Sequence, residues 1–254
     1  MTDPRAPRLR LDALLVQRGL APSRERARAL IIAGHVSLPG APSMPKPGQL
    51  VRADADVQLR QADHPYVGRG ALKLVHALDT FGIAVDGRDG LDIGASTGGF
   101  TDVLLRRGAT HVVAVDVGHN QMDWRLRSDP RVSCLERINA RQLTPDQLPV
   151  AHRAFDIVTA DVSFISLRYI LPVVPPLLRP GADVVLLVKP QFEAGRDEVG
   201  KHGIVRDDAV RARVLAEVIA AAAAHGLDAV AHVPSPIEGM EGNLEWLAHF
   251  RSHA

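Results

Sequence analysis

Cysteine is nearly absent: the 254 residues include one, Cys134. A single thiol excludes an internal disulfide and any zinc site built on several cysteines, and it suits a reducing compartment. Aromatic residues make up 4% of the chain against 46% hydrophobic residues in all, so Leu, Val, Ala and Ile must fill the interior. No run of ~18 apolar residues occurs, so no membrane span is predicted. No apolar core follows the basic stretch Met1–Arg10, so no secretion signal is predicted and a cytoplasmic protein is expected. Net charge is small at +1 but unevenly spread. Residues 1–70 carry 11 Lys and Arg against 6 Asp and Glu, and the remainder carries 19 against 23. A basic front on an acidic body suits a polyanion-binding appendage, although an uneven solvated surface would give the same counts.

What is present divides into two units. Residues 1–62 read as a small α+β domain, residues 63–70 as a linker with Pro65 and Gly68 as breakers, and residues 71–254 as a larger domain. In the first unit Leu11, Leu14 and Leu15 recur at helical spacing and Gly19 ends the helix. Ser23 is placed to cap a second helix with Ala27, Leu30 and Ile31 on its apolar stripe and Gly34 just past its end. Short strands are expected at 35–38, 49–51 and 57–59. Arg8, Arg10, Arg18, Arg24, Arg26 and Arg28 fall in or beside the two helices, and Arg24 and Arg28 share a face.

From residue 71 the pattern alternates. A helix over 71–81 precedes strands near 90–93, 111–116, 132–136, 156–161, 183–189, 228–233 and 244–250, with helices between most of them and the clearest helix at 209–225. This alternation predicts an α/β domain with a mostly parallel, doubly wound sheet.

The most informative local motif is Asp92-Ile93-Gly94-Ala95-Ser96-Thr97-Gly98-Gly99-Phe100, after an apolar strand and before a helix near Thr101. Glycines let the backbone turn sharply and approach a ligand. The spacing Gly-x-x-x-Gly-Gly argues against NAD, which favours Gly-x-Gly-x-x-Gly. Asp116 ends the next strand, 22 residues after Gly94, where a carboxylate can accept both ribose hydroxyls of an adenosine. Val117 follows it. Asn139 and Ala140 come after the third strand and are weaker candidates to flank an adenine. Asp161 and Lys189 end the fourth and fifth strands, so they should be neighbours at the ligand crevice. A lysine after the apolar run 184–188 needs a partner, and Asp161 is the obvious one. Lys73 and Glu245, each on its own an ordinary surface residue, complete an ordered Lys, Asp, Lys, Glu set.

Several resemblances gather these features. The stretch "RLRLDALLVQRGLAPSRERARALIIAGHVSL" resembles the S4-type RNA-binding domain, which implies RNA contacts from Arg8, Arg10, Arg18, Arg24 and Arg28, and from Arg69 in the linker. The glycine motif resembles the first motif of S-adenosylmethionine-dependent methyltransferases. That likeness implies a Rossmann-like class I methyltransferase domain with Asp92, Gly94, Ser96, Gly98, Gly99, Phe100, Asp116, Val117, Asn139, Ala140 and Asp161 around S-adenosyl-L-methionine. The order Lys73, Asp161, Lys189, Glu245 resembles the catalytic tetrad of the RrmJ/FtsJ-like ribose methyltransferases. "GRGALKL", "DIGASTGGFTD", "TADVSFISL", "LVKPQFEAGR" and "GNLEW" together resemble the TlyA family of rRNA 2′-O-methyltransferases, also labelled haemolysin A. The resemblance implies S-adenosylmethionine-dependent methylation of cytidine riboses in ribosomal RNA, with rRNA or ribosomal subunits as partners. The alternatives are a methyltransferase of a non-RNA substrate and a non-catalytic RNA-binding or haemolysin-like protein.

Other features carry less. His249 and His253 are four apart, as helical metal ligands would be, but no third ligand is near in sequence, so no metal is expected. Cys134 reads as a small core residue. Trp124 and Trp246 read as packing residues or as platforms for an RNA base. "GRDEVGKHGIVR", 195–206, reads as a lid or a mobile loop.

Overall fold

The computed structural model describes residues 7–21, 23–41, 44–59, 64–239 and 242–252. The N-terminal unit contains β1 (Arg8–Arg10), α1 (Leu11–Gln17), α2 (Arg24–Ile32), β2 (Val36–Ser37), β3 (Leu50–Arg52) and β4 (Gln58–Leu59). Ser23 caps α2 by accepting from Arg26 N at 3.2 Å, and Gly34 follows the helix at φ 82°. Leu11, Leu14, Leu15, Ala27, Ile31, Val36 and Val51 form the small core of this unit. Arg8 and Arg10 stand beside the first helix as expected, but on a strand: both lie on β1, paired antiparallel with Arg52 and Leu50 of β3, and Arg10 is also the N-cap of α1. The apolar periodicity begins only at Leu11, so nothing in the pattern marked the short strand before it.

The larger unit continues with α3 (Ala71–Phe81), β5 (Asp89–Ile93), α4 (Gly99–Arg106), β6 (His111–Asp116), α5 (Trp124–Arg127), β7 (Val132–Glu136) and β8 (Phe155–Ala160). There follow β9 (Leu178–Val188), α6 (Pro190–Glu193), α7 (Asp208–Ala224), β10 (Leu227–Pro234) and β11 (Trp246–Ser252). Seven strands form one sheet in the order β10-β11-β9-β8-β5-β6-β7. The five from β9 to β7 are parallel, while β11 is inserted antiparallel between β9 and β10. The order reverses between β5 and β8, which opens a crevice at their carboxyl ends.

One face of the sheet packs on α3 and α4, through Leu74, Leu78, Phe100 and Leu104 among others. The other packs on α7, through Val214, Val218 and Ala222, and on the segment 167–177. Each fully buried Leu, Ile, Val or Phe contributes about 1.5–3 kcal/mol against exposure. The β8–β9 crossover is not a helix but three short 3-10 turns between Leu167 and Leu177. Pro172, Pro175 and Pro176 lack the N–H that a longer helix needs there.

Candidate active site

Four strand ends build the site. Gly94 follows β5, Asp161 follows β8 and Lys189 follows β9. Trp246 of β11 pairs with Val188 of β9, so Glu245 arrives beside Lys189 from the opposite direction. Lys73 comes from the first turn of α3. Two ion pairs result. Lys73 Nζ lies 2.5 Å from Glu245 Oε2, with side chains only 8% and 2% exposed. Lys189 Nζ lies 2.5 Å from Asp161 Oδ1 and donates to Ser163 Oγ at 2.8 Å. Burial alone would raise the Asp161 carboxyl, but the Lys189 and Lys73 ammonium groups outweigh it and hold the group below the ordinary carboxylate value.

All four residues line one cavity of about 360 Å³, together with Gly94, Ala95, Ser96, Thr97, Gly99 and Phe100 of the glycine turn. The turn is tight. A Cβ on Gly94, at φ 84°, would stand 2.6 Å from the Asp161 carbonyl oxygen. Glycine is therefore what lets the β5 turn and the β8 end approach each other.

The remaining candidate cofactor residues are placed differently. Asp92 is fully buried and lies outside the cavity lining. Its Oδ2 accepts from Thr101 N and Thr101 Oγ1 at 2.9 and 2.7 Å, and its Oδ1 accepts from Thr159 Oγ1 at 3.2 Å. Burial pushes its carboxyl up to about 7, against the pull of these donors. Asp92 thus props the first turn of α4. Gly98 starts that helix in the left-handed region at φ 93° and packs on Leu126, also outside the cavity lining. Asp116 accepts from Ser96 N at 2.8 Å and from Gly118 N at 2.6 Å. Val117 beside it is 73% exposed. Asn139 accepts from Arg141 N at the start of a 3-10 turn that contains Ala140. Asp116, Val117, Asn139 and Ala140 flank the turn on the β6 and β7 side, beyond the cavity.

A family model described as FtsJ-like methyltransferase matches residues 66–252. The chain belongs to the FtsJ-like methyltransferase family. A model of the S4 domain matches residues 9–40. The 16S/23S rRNA (cytidine-2′-O)-methyltransferase TlyA of Mycobacterium tuberculosis is 48% identical over 97% of this chain and 91% of its own length. A candidate hemolysin from Streptococcus thermophilus has a solved structure that matches 98% of this chain and 90% of its own, at 42% identity and a TM-score of 0.75. The N-methyltransferase NodS of Bradyrhizobium japonicum, solved with S-adenosyl-L-homocysteine, shares the fold at 19% identity and a TM-score of 0.51, over 75% of this chain and 89% of its own. The larger unit therefore has the Rossmann-like class I methyltransferase fold, behind an N-terminal S4 domain.

The structure also brings to this region residues that the sequence did not single out. Ser163 is the second partner of Lys189. Phe164, at φ 63° and 91% exposed, stands at the cavity wall with its ring 5.2 Å from that of Phe192. Both lie inside a quoted motif, and an aromatic three residues after Asp161 was the available signal. Asn243 is 1% exposed; it accepts from Val205 N at 3.0 Å and donates to Gly203 O at 2.8 Å. It thereby ties the 195–206 loop to the segment that carries Glu245. The absence of a side chain at Gly239 leaves room for Glu245 Oε1, which a Cβ there would meet at 2.4 Å.

The six arginines expected to contact RNA fare unequally. Arg10 and Arg24 converge on Asp12, itself 0% exposed, at 2.9 and 3.3 Å. Arg8 and Arg28 are exposed. Arg18 instead braces its own domain by donating to the carbonyls of Ala53 and Ala55 at 2.6 and 2.7 Å. Arg69 lines the same cavity and bridges distant segments, donating to the Glu238 carbonyl and contacting Met44 Sδ. The linker is fastened to α4: Val67 N donates to Asp102 at 2.9 Å, and Arg106 donates to Pro65 O at 2.9 Å while its guanidinium lies over the Tyr66 ring.

The histidine spacing that would suit ligands on a helix begins on a strand. His249 lies on β11, is 1% exposed and bonds Asp183 at 2.7 Å, while His253 lies outside the described residues. A strand pairs i with i+2, so the helical spacing had no structural basis. Cys134 is half-buried on β7. Among the described residues no helix is long and apolar enough to cross a membrane.

Proposed function

We propose that this protein transfers the methyl group of S-adenosylmethionine to the ribose 2′-hydroxyl of cytidine in ribosomal RNA of the small subunit, the large subunit or both. The observation that carries the reading is the convergence of the Lys73–Glu245 and Lys189–Asp161 pairs in one cavity with the glycine turn. The 48% identity to an rRNA (cytidine-2′-O)-methyltransferase supports the nucleoside and the RNA class. A basic front half and an S4 domain support an RNA partner. Work on ribosomal RNA fits a cytoplasmic setting.

The residues present fit the methyl donor. Asp116 uses two acceptor directions on Ser96 N and Gly118 N, and an ionised carboxylate has about four, so two remain for ribose hydroxyls. Val117 offers an exposed apolar face beside it, and the Gly94–Gly99 backbone offers a close wall to the amino-acid end. When bound, the donor supplies an electrophilic methyl group on a sulfonium.

The chain's own residues supply the rest. Lys189 as an ammonium has three N–H donors, of which Asp161 and Ser163 take two. The third direction is left for the substrate oxygen. There Lys189 either stabilises the developing alkoxide as a fixed charge or, once deprotonated, accepts the hydroxyl proton. Asp161 fixes the amine, and the Lys73–Glu245 pair fixes the wall behind it. A stacked nucleotide would not reach this depth, so the target must be flipped out. The direct test is labelled methyl transfer onto rRNA lacking the mark, followed by mass mapping. A mark on a cytidine 2′-oxygen is expected; no transfer to any rRNA, or a mark on a base, would overturn the reading.

A further inference from the structure

A second carboxylate gathers two guanidiniums, and it does so across the domain boundary. Asp123, 7% exposed, binds Arg26 of α2 at 3.3 Å and Arg125 of α5 at 3.0 Å. Two positive groups on one negative group leave this point positive. The Arg26 and Arg125 side chains stay 34% and 56% exposed, so both guanidiniums still face solvent. Beside them Trp124, one of two tryptophans in the chain, is 69% exposed. An indole left this open costs hydration free energy unless something covers it.

The patch is firmly held. Asp123 N donates to Thr97 O at 3.1 Å, and Leu126 packs so closely on Gly98 that a Cβ there would meet its Cδ1 at 2.4 Å. The platform is thus fixed to the glycine turn of the catalytic domain, while Arg26 belongs to the helix that also contributes Arg24 to the Asp12 fork. One helix links both forks.

We propose that the Arg26–Asp123–Arg125 fork and the Trp124 indole form an RNA-docking surface that continues from the S4 domain onto the methyltransferase domain. The guanidiniums take phosphates and the indole stacks one unpaired base. The chemistry favours RNA over a protein partner, because preset guanidinium N–H groups match phosphate and a bare ring matches a base face. The inference rests on the rRNA reading above.

The test uses the full-length protein and a protein-free rRNA that the wild type methylates. Failure of the wild type on every rRNA would remove the rRNA reading itself and is therefore distinguishable. Filter binding over a salt series is measured for the wild type, Trp124→Ala, Trp124→Phe and Arg125→Gln, with S-adenosylmethionine affinity measured in parallel. Trp124→Ala should weaken RNA binding about tenfold, with Trp124→Phe restoring most of it. Arg125→Gln should lower the slope of log affinity against log salt by about 0.7–0.9, the loss of one phosphate contact. S-adenosylmethionine affinity should hold in all variants. Unchanged RNA affinity in the Trp124 pair, a loss only in donor affinity, or a loss seen with ribosomal subunits but not with naked RNA would each overturn the proposal. The Trp124 variants keep the test decisive even if Arg125→Gln misfolds.

Discussion

Lys73 and Glu245 are 172 positions apart in the chain, yet the ammonium of one lies 2.5 Å from the carboxylate of the other in a nearly dry setting. Removing one partner strands a buried charge, which costs about 3–5 kcal/mol. Glu245→Gln should therefore lower the unfolding free energy by about that much and abolish transfer. The double variant Lys73→Met/Glu245→Leu should recover most of the stability but none of the activity. Denaturant melts decide the matter, and a single variant as stable as wild type would show that the pair is not energetically coupled.

Lys189→Ala removes the ammonium held by Asp161 and Ser163, the group proposed to meet the substrate oxygen, while leaving the glycine turn and Asp116 in place. Methyl transfer should fall below detection, and calorimetry should still register S-adenosylmethionine binding. Near-normal turnover would dismiss the mechanism.

Asp92 gives a pH signature with a definite sign. Its folded-state carboxyl is pushed up to about 7, above the ordinary value of 3.8, so the unfolded chain ionises first. Its contribution to stability is fully present below about pH 4 and is lost as the pH rises to about 7, with a limiting slope of ~1.4 kcal/mol per pH unit. Asp92→Asn should flatten stability across that window. Melts at closely spaced pH values would show it, and an unchanged slope would mean that Asp92 folds ionised.

Phe164 is exposed at the mouth of the cavity and faces no core. Phe164→Ala should leave the fold and the donor affinity intact and reduce transfer to RNA roughly tenfold, as expected for loss of one base-stacking contact. Equal rates for the two proteins at every RNA concentration would deny it that role.

Gly94→Ala would place a methyl group 2.6 Å from the Asp161 carbonyl at a φ of 84°. Backbone strain of about 1–3 kcal/mol is expected, with Asp161 displaced and both donor binding and transfer impaired. Normal affinity and rate in this variant would mean that the turn tolerates more than its geometry suggests.

The parts legible in the sequence were those governed by local rules. The α3 helix from Ala71 to Phe81, the strand His111–Asp116 and the Ser23 cap follow from periodicity and capping, and each is found as expected. Asp161 and Lys189 were legible as neighbours because strand ends in a doubly wound sheet share a rim, whereas Lys73, on α3, and Glu245 joined them only through the family resemblance. What escaped depended on contacts between distant segments. Nothing near Arg18 shows that its guanidinium turns back to Ala53 and Ala55, and nothing near Asp123 shows that it meets Arg26. Asp92 occupied the expected position at the end of β5, but its burial and its two threonine partners are tertiary facts.

The placement of β11 has a consequence for how the enzyme matures. This strand is made after β10 but inserts inside it, against β9, and Glu245 immediately precedes it. During translation the β5–β9 portion emerges before the acid that pairs with Lys73 has been synthesised. The Lys73–Glu245 pair can therefore close only when this late strand has slotted in between β9 and β10.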